Sequence, residues 1–131
     1  MKASGAGGLA LTLSGAAANY APGVPVRLTL TARNQGSAPL RLTFTSGQRF
    51  DATAQDASGR GVWSWSAGRS FIQALSELTL QPGQSESYEI VWEQKDNADR
   101  QVAAGKYTLR AWLTAQGVEQ RPQVEVTLAA R

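Results

Sequence analysis

VPVRLTLTARN, residues 24–34, is the stretch on which the fold turns. Val26, Leu28, Leu30 and Ala32 project to one side of an extended chain, and Arg27, Thr29, Thr31 and Arg33 to the other. Alternation with a period of two marks a strand with one buried and one wetted face, and threonine and arginine suit the wetted face. The pattern returns in PLRLTFTS, residues 39–46, where Leu40, Leu42 and Phe44 oppose Arg41, Thr43 and Thr45. The intervening NQGSAP, residues 34–39, is made of turn formers.

Outward from this pair the same reading repeats. Phe50, Ala52 and Ala54 alternate up to the turn signal Asp56-Ala57-Ser58-Gly59, and a short strand returns over residues 62–65. Strands over residues 76–80 and 87–93 flank Gln81-Pro82-Gly83-Gln84, with Pro and Gly in the order of a type II turn. Residues 93–104 are polar and charged and read as the longest exposed loop. Tyr107, Leu109, Ala111 and Leu113 then share a face, and Val124, Val126 and Leu128 end the series. Near the start, Leu9, Leu11 and Leu13 alternate as a first strand. That fits better than a secretion signal, whose apolar core Thr12, Ser14 and Gly15 would interrupt. The only helical candidate is residues 68–76, a turn or so at most.

About eight or nine strands at intervals near 8–12 residues, with no long helix to cover a sheet, require two sheets to cover each other. The expected fold is an all-β, immunoglobulin-like antiparallel β-sandwich, with a closed barrel as the structural runner-up. Residues 1–8 read as a flexible tail and residues 9–131 as a single domain. Leu28, Leu30, Leu42, Phe44, Ile90, Trp92, Tyr107 and Leu109 are its expected core.

Composition narrows the function. The 131 residues contain no Cys and no His, which removes disulfides, thiolate metal sites and every Ser-His or Cys-His nucleophilic device. A serine–lysine dyad has only Lys2, Lys95 and Lys106 to draw on. The ten Asp and Glu residues are scattered, and residues 96–99 lack the glycine and closing glutamate of a calcium loop. GAGG, residues 5–8, precedes a strand and is no phosphate cradle. These absences speak against an enzyme, and no cofactor is expected. The net charge of +3 is spread along the chain rather than gathered into a stripe, so no nucleic acid is expected, although a mild basic excess can steer an acidic protein partner. No stretch approaches the ~20 apolar residues that span a bilayer.

Trp63 and Trp65 are two apart and share a face in a strand. One reading has them filling the end of the sandwich with Phe71 closing over them, each burying roughly 150–250 Å². The other makes them an exposed platform for a partner. Trp112 falls on the face opposite Leu109, Ala111 and Leu113, beside Arg110, and is the better candidate for a partner contact.

Taken in order, Ser46-Gly47-Gln48, Phe50-Asp51, Gly59, Val62-Trp63, Trp65-Ser66, Phe71, Pro82-Gly83, Trp92 and Gly105-Lys106-Tyr107 resemble the bacterial intracellular proteinase inhibitor family, the BsuPI-type domains. The chain departs from that pattern with Ser64 between the tryptophans and Ala52-Thr53-Ala54 after Asp51. The resemblance implies a cytoplasmic β-sandwich that blocks an intracellular subtilisin-like serine protease, and a monomer is expected. A secreted or periplasmic location is the alternative if the N-terminus is a weak or trimmed signal. The presenting elements would be residues 59–71 and the loop 93–104, and the expected partner-binding residues are Trp63, Trp65, Ser66, Arg69, Phe71 and Trp112. A non-inhibitory interaction or adhesion-type sandwich is the alternative function. A carbohydrate-binding module would need both indoles exposed.

Overall fold

A computed structural model of the chain describes residues 8–130. The strands are β1 (Leu9–Ser14), β2 (Asn19–Tyr20), β3 (Val26–Asn34), β4 (Leu40–Phe44), β5 (Phe50–Gln55), β6 (Gly61–Ser64), β7 (Ser76–Leu80), β8 (Ser85–Trp92), β9 (Gly105–Leu113) and β10 (Gln123–Leu128). One sheet has the order β1-β3-β8, the second β2-β10-β9-β5-β6, and β4 and β7 pair separately. Every pairing is antiparallel except β2 with β10. The chain is an all-β sandwich, as the alternation indicates. The strand missed by sequence is β2, because two residues cannot show a period.

The register explains the layers. Leu28 faces Ile90 and Val26 faces Trp92 across β3 and β8, while Ala52 faces Ala111 and Ala54 faces Leu109 across β5 and β9. These side chains meet in one core with Leu42, Phe44 and Leu80 of the β4–β7 pair, and all eight expected core residues are buried. Two polar side chains are buried with it and are hydrogen-bonded, as burial of amides requires. Asn34 Nδ2 donates to the Ala38 and Leu80 carbonyls, each at 2.8 Å. Gln94 Nε2 donates to the Ala21 and Val24 carbonyls, each at 2.8 Å. The loop 93–104 is therefore exposed only in part, since Gln94 inside it is fully buried.

At the turn between β7 and β8, Gln84 N–H donates to Gln81 O at 2.8 Å and Gly83 has φ of 82°. A type II turn needs a positive φ at its third position, which glycine adopts without strain. Residues 69–75 differ from expectation: they carry no helix and run without turn or bend from the end of the β6 hairpin to β7. Residues 1–7, most of the expected tail, lie outside the described residues. No helix among the described residues is long and apolar enough to cross a membrane.

Candidate functional site

The five-stranded sheet ends at β6, and the aromatic segment is built on that edge. Trp63 pairs with Ala54, and Trp65 N–H donates to Ala52 O at 2.8 Å. Two alanines on β5 leave room for two indoles on the inner face. The Trp63 ring lies 6.2 Å from Trp92, which lies 5.3 Å from Tyr107. Trp92 Nε1 donates to Lys95 O at 2.9 Å, so the core indole also fixes the start of the loop 93–104. Tyr107 Oη donates to Ala103 O at 2.6 Å and fixes its end.

Trp65 is enclosed differently. Its ring centroid lies 4.2 Å from that of Phe50, which continues to Tyr88 at 5.1 Å, and 6.0 Å from Phe71. The Arg69 guanidinium lies 4.0 Å from the same centroid, and Arg69 Nε donates to Trp65 O at 2.8 Å. A phenyl ring and a guanidinium, each about 4 Å from one centroid, cannot share a face of it, so neither face of the Trp65 indole is open to a sugar ring. Trp63 and Trp65 are both half-buried, in keeping with a sandwich end closed over by Phe71.

The turn after Trp65 is fastened by a carboxylate whose partner the sequence does not show. Asp51 Oδ2 accepts from Ser66 Oγ at 2.7 Å, and Oδ1 accepts from Ser66 N–H at 3.1 Å and Ala52 N–H at 2.8 Å. Ser66 thus holds the turn, with its hydroxyl proton committed to Asp51 and no imidazole in the chain to remove it. Beyond Ser66, residues 67–70 are exposed. The structure gathers Trp63, Trp65, Ser66, Arg69 and Phe71 in one corner. Trp112 is not among them: it pairs with Asp51 across β5 and β9, on the outer face, with the Arg121 guanidinium 4.2 Å from its ring.

The loop 93–104 comes to the same corner. Asn97 treats the β6 edge as a neighbouring strand would: its Oδ1 accepts from Ser64 N–H at 3.0 Å, its Nδ2 donates to Ser64 O at 3.2 Å, and its own N–H donates to Val62 O at 3.3 Å. Between this loop and the Ser66 turn lies an open cleft of about 370 Å³ lined by Trp63, Trp65, Arg69, Lys95, Asp96 and Asp99, among others. The two presenting elements proposed from sequence are therefore the two walls of one cleft.

Two turns of the same build frame β6. Asp56 Oδ1 accepts from the N–H groups of Ser58 and Arg60, each at 3.0 Å, and Asp56 N–H donates to Arg60 O at 2.9 Å. Asp96 does the same with Ala98 at 2.9 Å, Arg100 at 3.0 Å and Arg100 O at 2.8 Å. Hydrogen bonds to the charged form lower an acid's pKa. The Ser58 hydroxyl, then the Arg60 N–H, hold Asp56 below its ordinary 3.8, and the Arg100 N–H does most to lower Asp96.

Among known proteins, the sandwich recurs within larger chains and as a domain of about this size. A β-glucosidase from Listeria innocua in complex with gluconolactone matches with a TM-score of 0.55 at 14% identity, covering 93% of this chain and 16% of that one. The alkylpurine DNA glycosylase AlkC of Pseudomonas fluorescens, bound to DNA containing an abasic site analog, matches at 0.52 and 15%, covering 94% and 31%. The CARDB domain of the PF1109 protein from Pyrococcus furiosus, in complex with di-metal ions, matches at 0.50 and 11%, covering 92% and 87%. At these identities the likeness is one of fold, and this chain spans less than a third of the first two proteins. No curated protein matches it. The family model described as "Intracellular proteinase inhibitor" matches residues 13–118. That span holds β2 to β9, both walls of the cleft and every residue of the aromatic corner, and by it this chain belongs to the intracellular proteinase inhibitor family.

Proposed function

We propose that this protein inhibits an intracellular subtilisin-like serine protease by steric blockade, meeting it as a monomer in the cytoplasm through the corner formed by residues 66–71. The observation that carries this reading is the clamping of an exposed turn. Asp51 holds Ser66, and Phe50 and Arg69 enclose Trp65, so the turn is rigid before any partner arrives. Ordering a loop in advance reduces the entropy lost on association. An inhibitor needs that more than most proteins, because a flexible exposed loop in a protease cleft is a substrate. Trp63, Trp65, Ser66, Arg69 and Phe71 form the proposed contact region, with Trp112 at its margin across Asp51.

The test is titration of the purified protein against an intracellular subtilisin-type protease. Stoichiometric loss of protease activity is expected. Arg69→Ala weakens inhibition while costing at most about 1 kcal/mol of stability, the scale of an exposed cation–π contact. Trp65→Ala lowers inhibition and thermal midpoint together, because it removes the support as well as the surface. Full inhibition by Arg69→Ala moves the contact off the turn at residues 66–69, either to residues beyond Phe71 or to the loop 93–104. No inhibition by the wild type assigns the corner to a non-inhibitory protein partner.

A further inference from the structure

Residues 69–75, RSFIQAL, leave the corner as an extended run joining β6 to β7. Phe71 turns inward to Trp65, while Ile72 and Leu75 stand 78% and 74% exposed. They are the most exposed large apolar side chains among the described residues, and Val24 follows at 43%. Burying apolar surface is the main source of stability in water, so two such side chains in one short run, three residues apart, are placed for something other than this fold.

The backbone of the run is open as well. Among the described residues, no backbone hydrogen bond uses the N–H groups of residues 70–75, and Ile72 O is the one carbonyl of the run with a backbone donor, Gly47 N–H at 2.7 Å. Gln73 Nε2 also reaches Phe71 O at 3.4 Å. The run is held at its upstream end by Phe71 and Arg69, in its middle by the Gly47 bond and downstream by β7. It presents unpaired main-chain donors and acceptors over residues 73–75. An extended, anchored segment with free backbone and exposed apolar side chains is what a partner recognises by strand addition, in which main-chain bonds give affinity and side-chain pockets give specificity.

We propose that residues 72–75 are the stretch laid into the protease's substrate groove, with the groove pairing to the backbone of residues 73–75 and taking Ile72 and Leu75 into two apolar subsites. This rests on the inhibitor reading and extends the contact beyond Phe71. It also specifies the target: a protease whose groove has apolar rather than acidic subsites, since Arg69 is folded back onto Trp65 and is not the side chain offered to a specificity pocket. The Ile72 carbonyl accepts from Gly47 N–H, which ties the peptide bond after Ile72 to the body of the domain.

The experiment compares wild type, Ile72→Ser, Leu75→Ser and the double variant against an intracellular subtilisin-type protease. It measures inhibition of the active enzyme and binding to the same enzyme with its catalytic serine replaced by alanine. Each single change is expected to weaken both by roughly tenfold or more, the equivalent of withdrawing one buried aliphatic side chain. Thermal midpoints should hold, because both side chains are exposed. A double variant that binds and inhibits like the wild type overturns the assignment while leaving the inhibitor reading standing. A wild type that neither binds nor inhibits overturns both. A change confined to the oligomeric state of the free protein, with inhibition intact, overturns it in favour of a contact between two copies of this chain.

Discussion

Trp92 is the largest fully buried side chain among the described residues, and its ring links Trp63 on one side to Tyr107 on the other. Trp92→Ala should lower stability by about 3–5 kcal/mol, the usual cost of deleting a large buried aromatic, measured by urea denaturation. A loss below about 1 kcal/mol would contradict the packing described. Trp92→Phe keeps most of the ring contacts but leaves Lys95 O without its donor, so it should fall between the two and loosen the loop 93–104 in hydrogen exchange. The inward facing of Trp92 and Tyr107 is legible in the sequence, because each alternates with obvious core residues. The clasp of Asp51 on Ser66 is not. Asp51 lies on the wetted side of β5, fifteen positions before its partner, and only the return of the chain through the β5–β6 hairpin joins them.

The elements around β6 are governed by their turns. Gly59 and Asp99 occupy the same place in the two Asp-headed turns, with φ of 88° and 66°. Nothing surrounds a side chain added at Gly59, so the cost of substitution there is conformational. Gly59→Val should lose about 1–2 kcal/mol, and Gly59→Asp, which copies the second turn, should lose less, as read from urea midpoints. The two head carboxylates also set an acid limit. Their folded pKa values lie below the unfolded value near 3.8, so they contribute stability above that pH, and it is lost as pH falls through the folded values. Asn at both positions keeps the acceptor oxygen and removes the proton equilibrium. The double variant should therefore show a flatter loss of thermal midpoint below about pH 4. Residues 68–76 show where reading by pattern stopped. Phe71, Ile72 and Leu75 have spacings a helix could use, but the connection must pass from β6 to a strand of another sheet. Extended backbone advances about 3.3 Å per residue against 1.5 Å for a helix, and the hold of Trp65 on Phe71 and of Gly47 on Ile72 favours the longer path.

For the whole molecule, the fold class was written in the alternation of nine segments, since a period of two over four or more residues places a side chain on a face without knowledge of its neighbours. What sequence did not carry was the meeting of parts distant in the chain: the parallel contact of β2 with β10, and the closing of residues 59–71 against residues 93–104 into a single cleft. The role of Asn97 belongs to this second kind, and it bears on how the protein behaves in a crowded solution. An edge strand with open peptide groups is a template for further strands, and cells contain many. By offering a side-chain amide in place of a peptide, Asn97 occupies the Ser64 N–H and carbonyl with something that cannot propagate. Asn97→Ala should leave the sandwich folded but sticky. Light scattering at high concentration should rise with storage time, and a soluble peptide copying β6 should slow that rise by capping the exposed edge. The same asparagine that joins the two walls of the cleft would then also be what keeps this sandwich from growing into a fibre.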